Sequence, residues 1–103
     1  MFARIVTMRL KPTNIAEHAK AIEMRVLPLL QKEAGFVDAM FFVSQDGLEA
    51  IGMTLWDRKE DADHFGNTLY VQILQSLNSL LEDVPLLTMY DVTNSTFHKS
   101  AAQ

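Results

Sequence analysis

Residues 36–56 read FVDAMFFVSQDGLEAIGMTLW. Two apolar runs, 36–44 and 48–56, flank Gln45-Asp46-Gly47, and an Asp-Gly pair supplies the positive-φ chemistry of a tight hairpin turn. The stretch therefore predicts two antiparallel strands. Side chains alternate between the faces of a strand, so the first run sets Phe36, Met40 and Phe42 against Val37, Ala39, Phe41 and Val43. The second sets Leu48, Ala50 and Trp56 against Ile51, Met53 and Leu55. Both faces are apolar, which is the pattern of a sheet covered on both sides.

The chain on either side extends this pattern. Residues 2–10 are β-branched and apolar and stop at Lys11-Pro12, which predicts a strand meeting a breaker. Phe2, Val6, Met8 and Leu10 share one of its faces, Ala3, Ile5 and Thr7 the other, and Arg4 is the one charge in its interior. Asn14 with Glu17 forms a capping-box pattern, and Ile15, Ala19, Ile22, Val26 and Leu29 recur at helical spacing, predicting a helix over about 14–33. Pro28 should kink it near Met24, and Gly35 is placed for a left-handed C-terminal cap. After the hairpin, Asp57 with Glu60 predicts the start of a second helix that buries Ala62, Phe65 and Leu69. Gly66-Asn67 should interrupt it, and a further helix over 68–82 should turn Ile73, Leu74, Leu77, Leu80 and Leu81 inward. Pro85 ends that helix, and 86–93 reads as the last strand, with Leu86, Tyr90 and Val92 opposite Leu87 and Met89. The element order βαββαβ is that of a ferredoxin-like α+β fold, with one domain over 1–94 and a polar tail over 95–103.

Two helical segments cover one face of a four-stranded sheet. The other face would stay wet and apolar over an area well beyond the ~400 Å² at which a patch marks an interface, so the chain is expected to form a homodimer by stacking its sheet on that of a second copy. Composition narrows the function. With 103 residues, 49% of them hydrophobic, a net charge of −4 and dispersed cations, neither nucleic acid nor an anionic membrane surface is an expected partner. The absence of cysteine removes disulfides, thiolate metal sites and a thiol nucleophile. The N-terminal apolar stretch is short, charged and without a small-residue cleavage site, so a cytoplasmic protein is expected.

Several pieces, in order along the chain, resemble the antibiotic biosynthesis monooxygenase family of the dimeric α/β-barrel superfamily. They are Pro28-Leu29-Leu30, Gly35-Phe36, Leu55-Trp56-Asp57, and Glu60-Asp61-Ala62 with Phe65 in the helix that follows. The resemblance implies a ferredoxin-like fold, a dimer through the sheets, and a pocket between helices and sheet. It implies activities such as cofactor-free oxygenation of phenols, quinol oxidation and haem degradation. The haem-degrading branch places an Asn, a Trp and a ligating His where this chain has Met8, Phe65 and Gln75, so no haem is expected. The phenol-oxidising branch has a strand-end Trp, matched by Trp56, but its Asn four residues earlier is Gly52 and its Tyr six residues later is Ala62.

The expected function is that of a cofactor-independent monooxygenase or quinol oxidase acting on a small aromatic or phenolic substrate. The alternative is a non-catalytic, ligand-binding or stress-related dimer of the same fold. Trp56 is the candidate to stack on an aromatic ligand, with Met8 and Phe65 lining the pocket. His64 or Tyr70 is the candidate proton acceptor. Arg4 is the candidate anion anchor, unless Asp38, Glu49 or Asp91 pairs with it. His18 reads as a residue at the margin of the apolar stripe, and His98 as a solvated residue of the tail. No metal site is expected, since Asp57, Asp61 and His64, although at helical spacing, are explained by the helix start.

Overall fold

Four strands form one antiparallel sheet: β1 (Phe2–Arg9), β2 (Phe36–Val43), β3 (Glu49–Trp56) and β4 (Leu86–Asp91), in the spatial order β2-β3-β1-β4. This computed structural model describes residues 1–97. Most of the tail expected over 95–103, with His98, lies outside the described residues. The hairpin of β2 and β3 closes as its Asp-Gly pair predicts. Gly47 takes φ +76°, and the Asp46 carboxylate accepts hydrogen bonds from the Ser44 hydroxyl at 2.6 Å and the Leu48 N–H at 3.0 Å. A register shift between Phe36 and Asp38 breaks the strict alternation at the start of β2. It lets Phe36 join the core with Phe41, although parity had grouped it with Met40 and Phe42.

The first helical region is interrupted as Pro28 requires. α1 (Ile15–Ala21) passes through a π turn (Ile22–Val26) into α2 (Leu27–Leu30). Pro28 has no N–H to offer the Met24 carbonyl, and the chain widens there, with the Leu27 N–H reaching the Ile22 carbonyl five residues back. The helix ends at Leu30, short of the expected 33, and Gly35 at φ +76° turns the chain into β2. Neither predicted cap forms. Asn14 ends a 3₁₀ turn (Pro12–Asn14) and makes no side-chain cap bond. α3 (Lys59–Asn67) starts one residue later than Asp57 would allow, with extended Arg58 as its flanking residue. The break after α3 falls at Thr68, whose hydroxyl donates to the His64 carbonyl at 2.7 Å. α4 (Leu69–Leu77) then runs into a 3₁₀ turn (Asn78–Leu80), which is as far as the 68–82 helix reaches.

Both helical regions pack on the same face of the sheet. Ile22, Val26 and Leu30 meet Phe65, Ile73 and Leu77 over Phe2 and Trp56, while Met8, Leu10, Ala50 and Leu81 form a smaller cluster at the other end. His18 lies within the buried stripe rather than at its margin and is 2% exposed. No helix among the described residues is long and apolar enough to cross a membrane. The opposite face carries Ile5, Met53, Met40, Phe42, Leu86 and Tyr90, and among the described residues no helix lies over it; the last four of these are 47–70% exposed.

Candidate functional site

A row of aromatic rings runs from the sheet into the helices. Trp56, at the end of β3, meets the edge of Phe36 at 5.7 Å between centroids and stacks on Phe65 at 4.8 Å. Phe65 in turn meets Tyr70 at 6.0 Å. α3 supplies Phe65 and α4 supplies Tyr70, and the break at Thr68 brings the two side chains side by side.

Arg4 rises from the centre of β1, opposite Thr54 of β3 and Met89 of β4, and ends over these rings. Its guanidinium carbon is 4.4 Å from the Tyr70 centroid and 5.0 Å from that of Phe65. The residue is 2% exposed. None of the three carboxylates considered for it pairs with it, and its buried Nε and Nη1 have no hydrogen-bond partner. Among the described residues the ion pairs are Arg58 with Asp61 and Lys59 with Asp63. Burial pulls the Arg4 pKa below its ordinary value, while Tyr70 and Asp63 act in the opposite direction; a group that begins so far above neutrality stays a cation. Burial also raises the Tyr70 phenol, against the pull of Arg4, so at neutral pH its hydroxyl is a protonated donor.

The guanidinium opens on a cavity between sheet and helices whose polar side chains, among the described residues, are Arg4, Thr54 and Tyr70. The rest of the wall is apolar and includes Met8, Phe41, Phe65 and Ile73. Its room for water-sized molecules is about 50 Å³, a third of the ~150 Å³ that admits benzene in an engineered apolar cavity.

Four of the six predicted site residues, Arg4, Met8, Phe65 and Tyr70, therefore come together. Trp56 stands behind Phe65, is 0% exposed, and donates its indole N–H to the Thr54 hydroxyl at 2.9 Å. It supports the wall without belonging to it. His64 is exposed on α3 and outside the lining. Thr54 and Phe41, which also line the cavity, are not among the six. Thr54 was within reach of the parity count, since it shares a face with Trp56 and a register position with Arg4. At Gly52 a Cβ would stand 2.8 Å from Phe41 Cε1, so the Phe41 ring fills the place that a side chain at position 52 would take. Ala62 is buried in the core. Among the described residues no group of three or more His, Asp or Glu side chains is arranged to hold a metal ion.

No family model and no curated protein sequence matches this chain. Solved structures do. A monooxygenase from the gene ActVA-Orf6 of Streptomyces coelicolor, in complex with the ligand nanaomycin D, superposes with a TM-score of 0.80 at 18% identity, covering 95% of this chain and 92% of that one. A candidate antibiotic biosynthesis monooxygenase from Nitrosomonas europaea gives 0.76 at 16% identity, covering 91% and 100%. A second Nitrosomonas europaea protein, NE2512, of unknown function, gives 0.79 at 15% identity, covering 96% and 95%. The chain shares their fold.

Proposed function

We propose that this chain is an oxygenase of the antibiotic biosynthesis monooxygenase type, acting without a cofactor on a small phenol or hydroquinone held as its anion. The observation that carries this reading is Arg4: a buried guanidinium with no carboxylate partner, at the edge of an apolar cavity. Leaving a desolvated charge uncompensated costs several kcal/mol, and the two rings beneath it offset about 2 kcal/mol or more. An anionic ligand would supply what the fold withholds. In the reaction, the electron-rich phenolate gives electrons to dioxygen, one oxygen atom enters the ring and the other leaves as water, so phenol and dioxygen yield quinone and water. Arg4 holds the phenolate oxygen, Tyr70 and Thr54 donate to it, and the apolar wall formed by Met8 and Phe65 admits dioxygen. Trp56 fixes Phe65 by stacking. His64, exposed on α3, has no part in this scheme.

The open sheet face belongs to the same reading. Covering it with the equivalent face of a second chain buries the apolar side chains that no helix covers, and a homodimer is the working unit.

Oxygen consumption over a set of hydroquinones and anthrones tests the activity. Uptake should occur with at least one of them and be lost in Arg4→Met; no uptake with any, or uptake unaffected by that substitution, contradicts the reading. The small room of about 50 Å³ favours a second reading, a non-catalytic ligand-binding dimer. That reading expects ligand binding at Arg4 and no oxygen consumption.

A further inference from the structure

We infer that the cavity accepts its ligand already ionised, and so binds phenols as the phenolate present in solution rather than as the neutral phenol. This rests on the reading of the Arg4 cavity as a ligand site. A site that deprotonates its substrate needs an acceptor within hydrogen-bond reach of the leaving proton, and among the described residues this one offers none. Its polar side chains are Arg4, Thr54 and Tyr70: a cation and two hydroxyls, one of which already accepts from Trp56. Tyr70, the titratable neighbour on α4, is a phenol kept protonated by burial.

The strand neighbours of Arg4, Thr54 and Met89, carry no charge. On α3, Asp63 is the carboxylate whose field reaches Arg4, but it is tied to Lys59 at 3.2 Å and does not line the cavity. The two histidines of the described residues stand elsewhere, His64 exposed on α3 and His18 buried on α1 outside the lining. The site can attract an anion and donate to it; among the described residues it has no side chain to take a proton.

Gly66 sharpens the assignment. It lies inside α3, where glycine costs about 0.5–1 kcal/mol relative to alanine. A Cβ at this position would stand 3.3 Å from Arg4 Nη2 and 3.4 Å from Cζ, crowding a guanidinium that the rings of Phe65 and Tyr70 already confine. The missing side chain leaves room around Nη2, the nitrogen that accompanies two buried, unpartnered ones.

The test is calorimetric titration of the intact chain, under nitrogen, with 4-nitrophenol, 4-cyanophenol and 4-methylphenol, and with 4-nitroanisole as the neutral ether. Below the pKa of each phenol the apparent Kd should weaken tenfold per pH unit, with the three curves displaced by their own acidities and coinciding when plotted against phenolate concentration. The ether should bind at least about tenfold more weakly, the loss of one charge-assisted hydrogen bond. Arg4→Met should abolish the distinction between phenolate and ether. Gly66→Ala, which keeps the charge, should weaken phenolate binding without lowering Tm. A single midpoint shared by all three phenols would reveal a titrating protein group and overturn the inference, as would equal binding of the ether or no binding of any phenol. Because oxygen is absent, binding of this kind with no oxygen consumption in air contradicts the oxygenase alone, whereas oxygen consumption with a shared midpoint contradicts the present inference alone.

Discussion

Desolvating a guanidinium is ordinarily offset by a carboxylate; at Arg4 two aromatic faces offset part of it, and the remainder is strain that the fold sustains. A residue kept for ligand binding at the expense of stability should show that trade when it is removed. Arg4→Met, similar in length and apolar, is expected to raise the unfolding free energy by about 1–4 kcal/mol while eliminating anion binding. Urea denaturation measures the first effect, and a loss of stability would assign Arg4 a structural role instead. Trp56 behaves oppositely. Its ring is enclosed and its N–H engaged, so Trp56→Phe should lower stability by about 1–3 kcal/mol through the void and the unpaired Thr54 hydroxyl, with any loss of function following from the displaced Phe65. His18 gives a pH signature. Burial lowers its pKa, so below its ordinary value of about 6.5 the unfolded chain binds more protons than the native one, and stability falls as the pH drops through that window. His18→Leu should flatten this slope between about pH 7 and pH 5; an unchanged slope would place its origin elsewhere. Arg4 stands out in the sequence as the one charge in a strand interior. That it lacks a partner was not legible, because pairing depends on which carboxylates the strand register and helix packing bring near.

At the scale of elements, period and punctuation carried most of the information. Asp46-Gly47 marks the hairpin, Pro28 the helix irregularity near Met24, and Pro85 the entry to β4, each because one residue's backbone admits few alternatives. Caps were less legible. Asn14 and Asp57 have suitable side chains, but Pro12 imposes a 3₁₀ turn ahead of the first, and the extended Arg58 delays the helix after the second. Local hydrogen-bonding capacity yields there to where the chain must enter the packed layer. Gly35 is a junction where two demands coincide: φ of +76°, and a close approach of the Asp61 side chain that a Cβ would overlap. Gly35→Ala should therefore cost at least about 1–2 kcal/mol for the left-handed backbone alone, read as a lower urea midpoint at unchanged m-value. A variant as stable as the parent would show that the junction can relax.

For the whole molecule, the two faces of one sheet divide the work. The helix-covered face holds Arg4, Thr54 and Trp56 and builds the cavity. The other presents Ile5 opposite Met53 at its centre, with Met40, Phe42, Leu86 and Tyr90 around them. Apolar alternation in every strand made this division legible from the sequence, whereas the cavity, which depends on how Phe41, Phe65 and Tyr70 pack, was legible only as a place. A domain of this size buries a modest share of its surface alone, and in the proposed homodimer a second sheet would supply the missing cover. Light scattering coupled to size exclusion at micromolar concentration tests this most directly: the parent chain should elute at twice the 11.7 kDa chain mass and Met53→Glu, which sets a charge at the centre of the stacked faces, at the mass of one chain. A parent protein that elutes as a stable, soluble single chain would contradict the account.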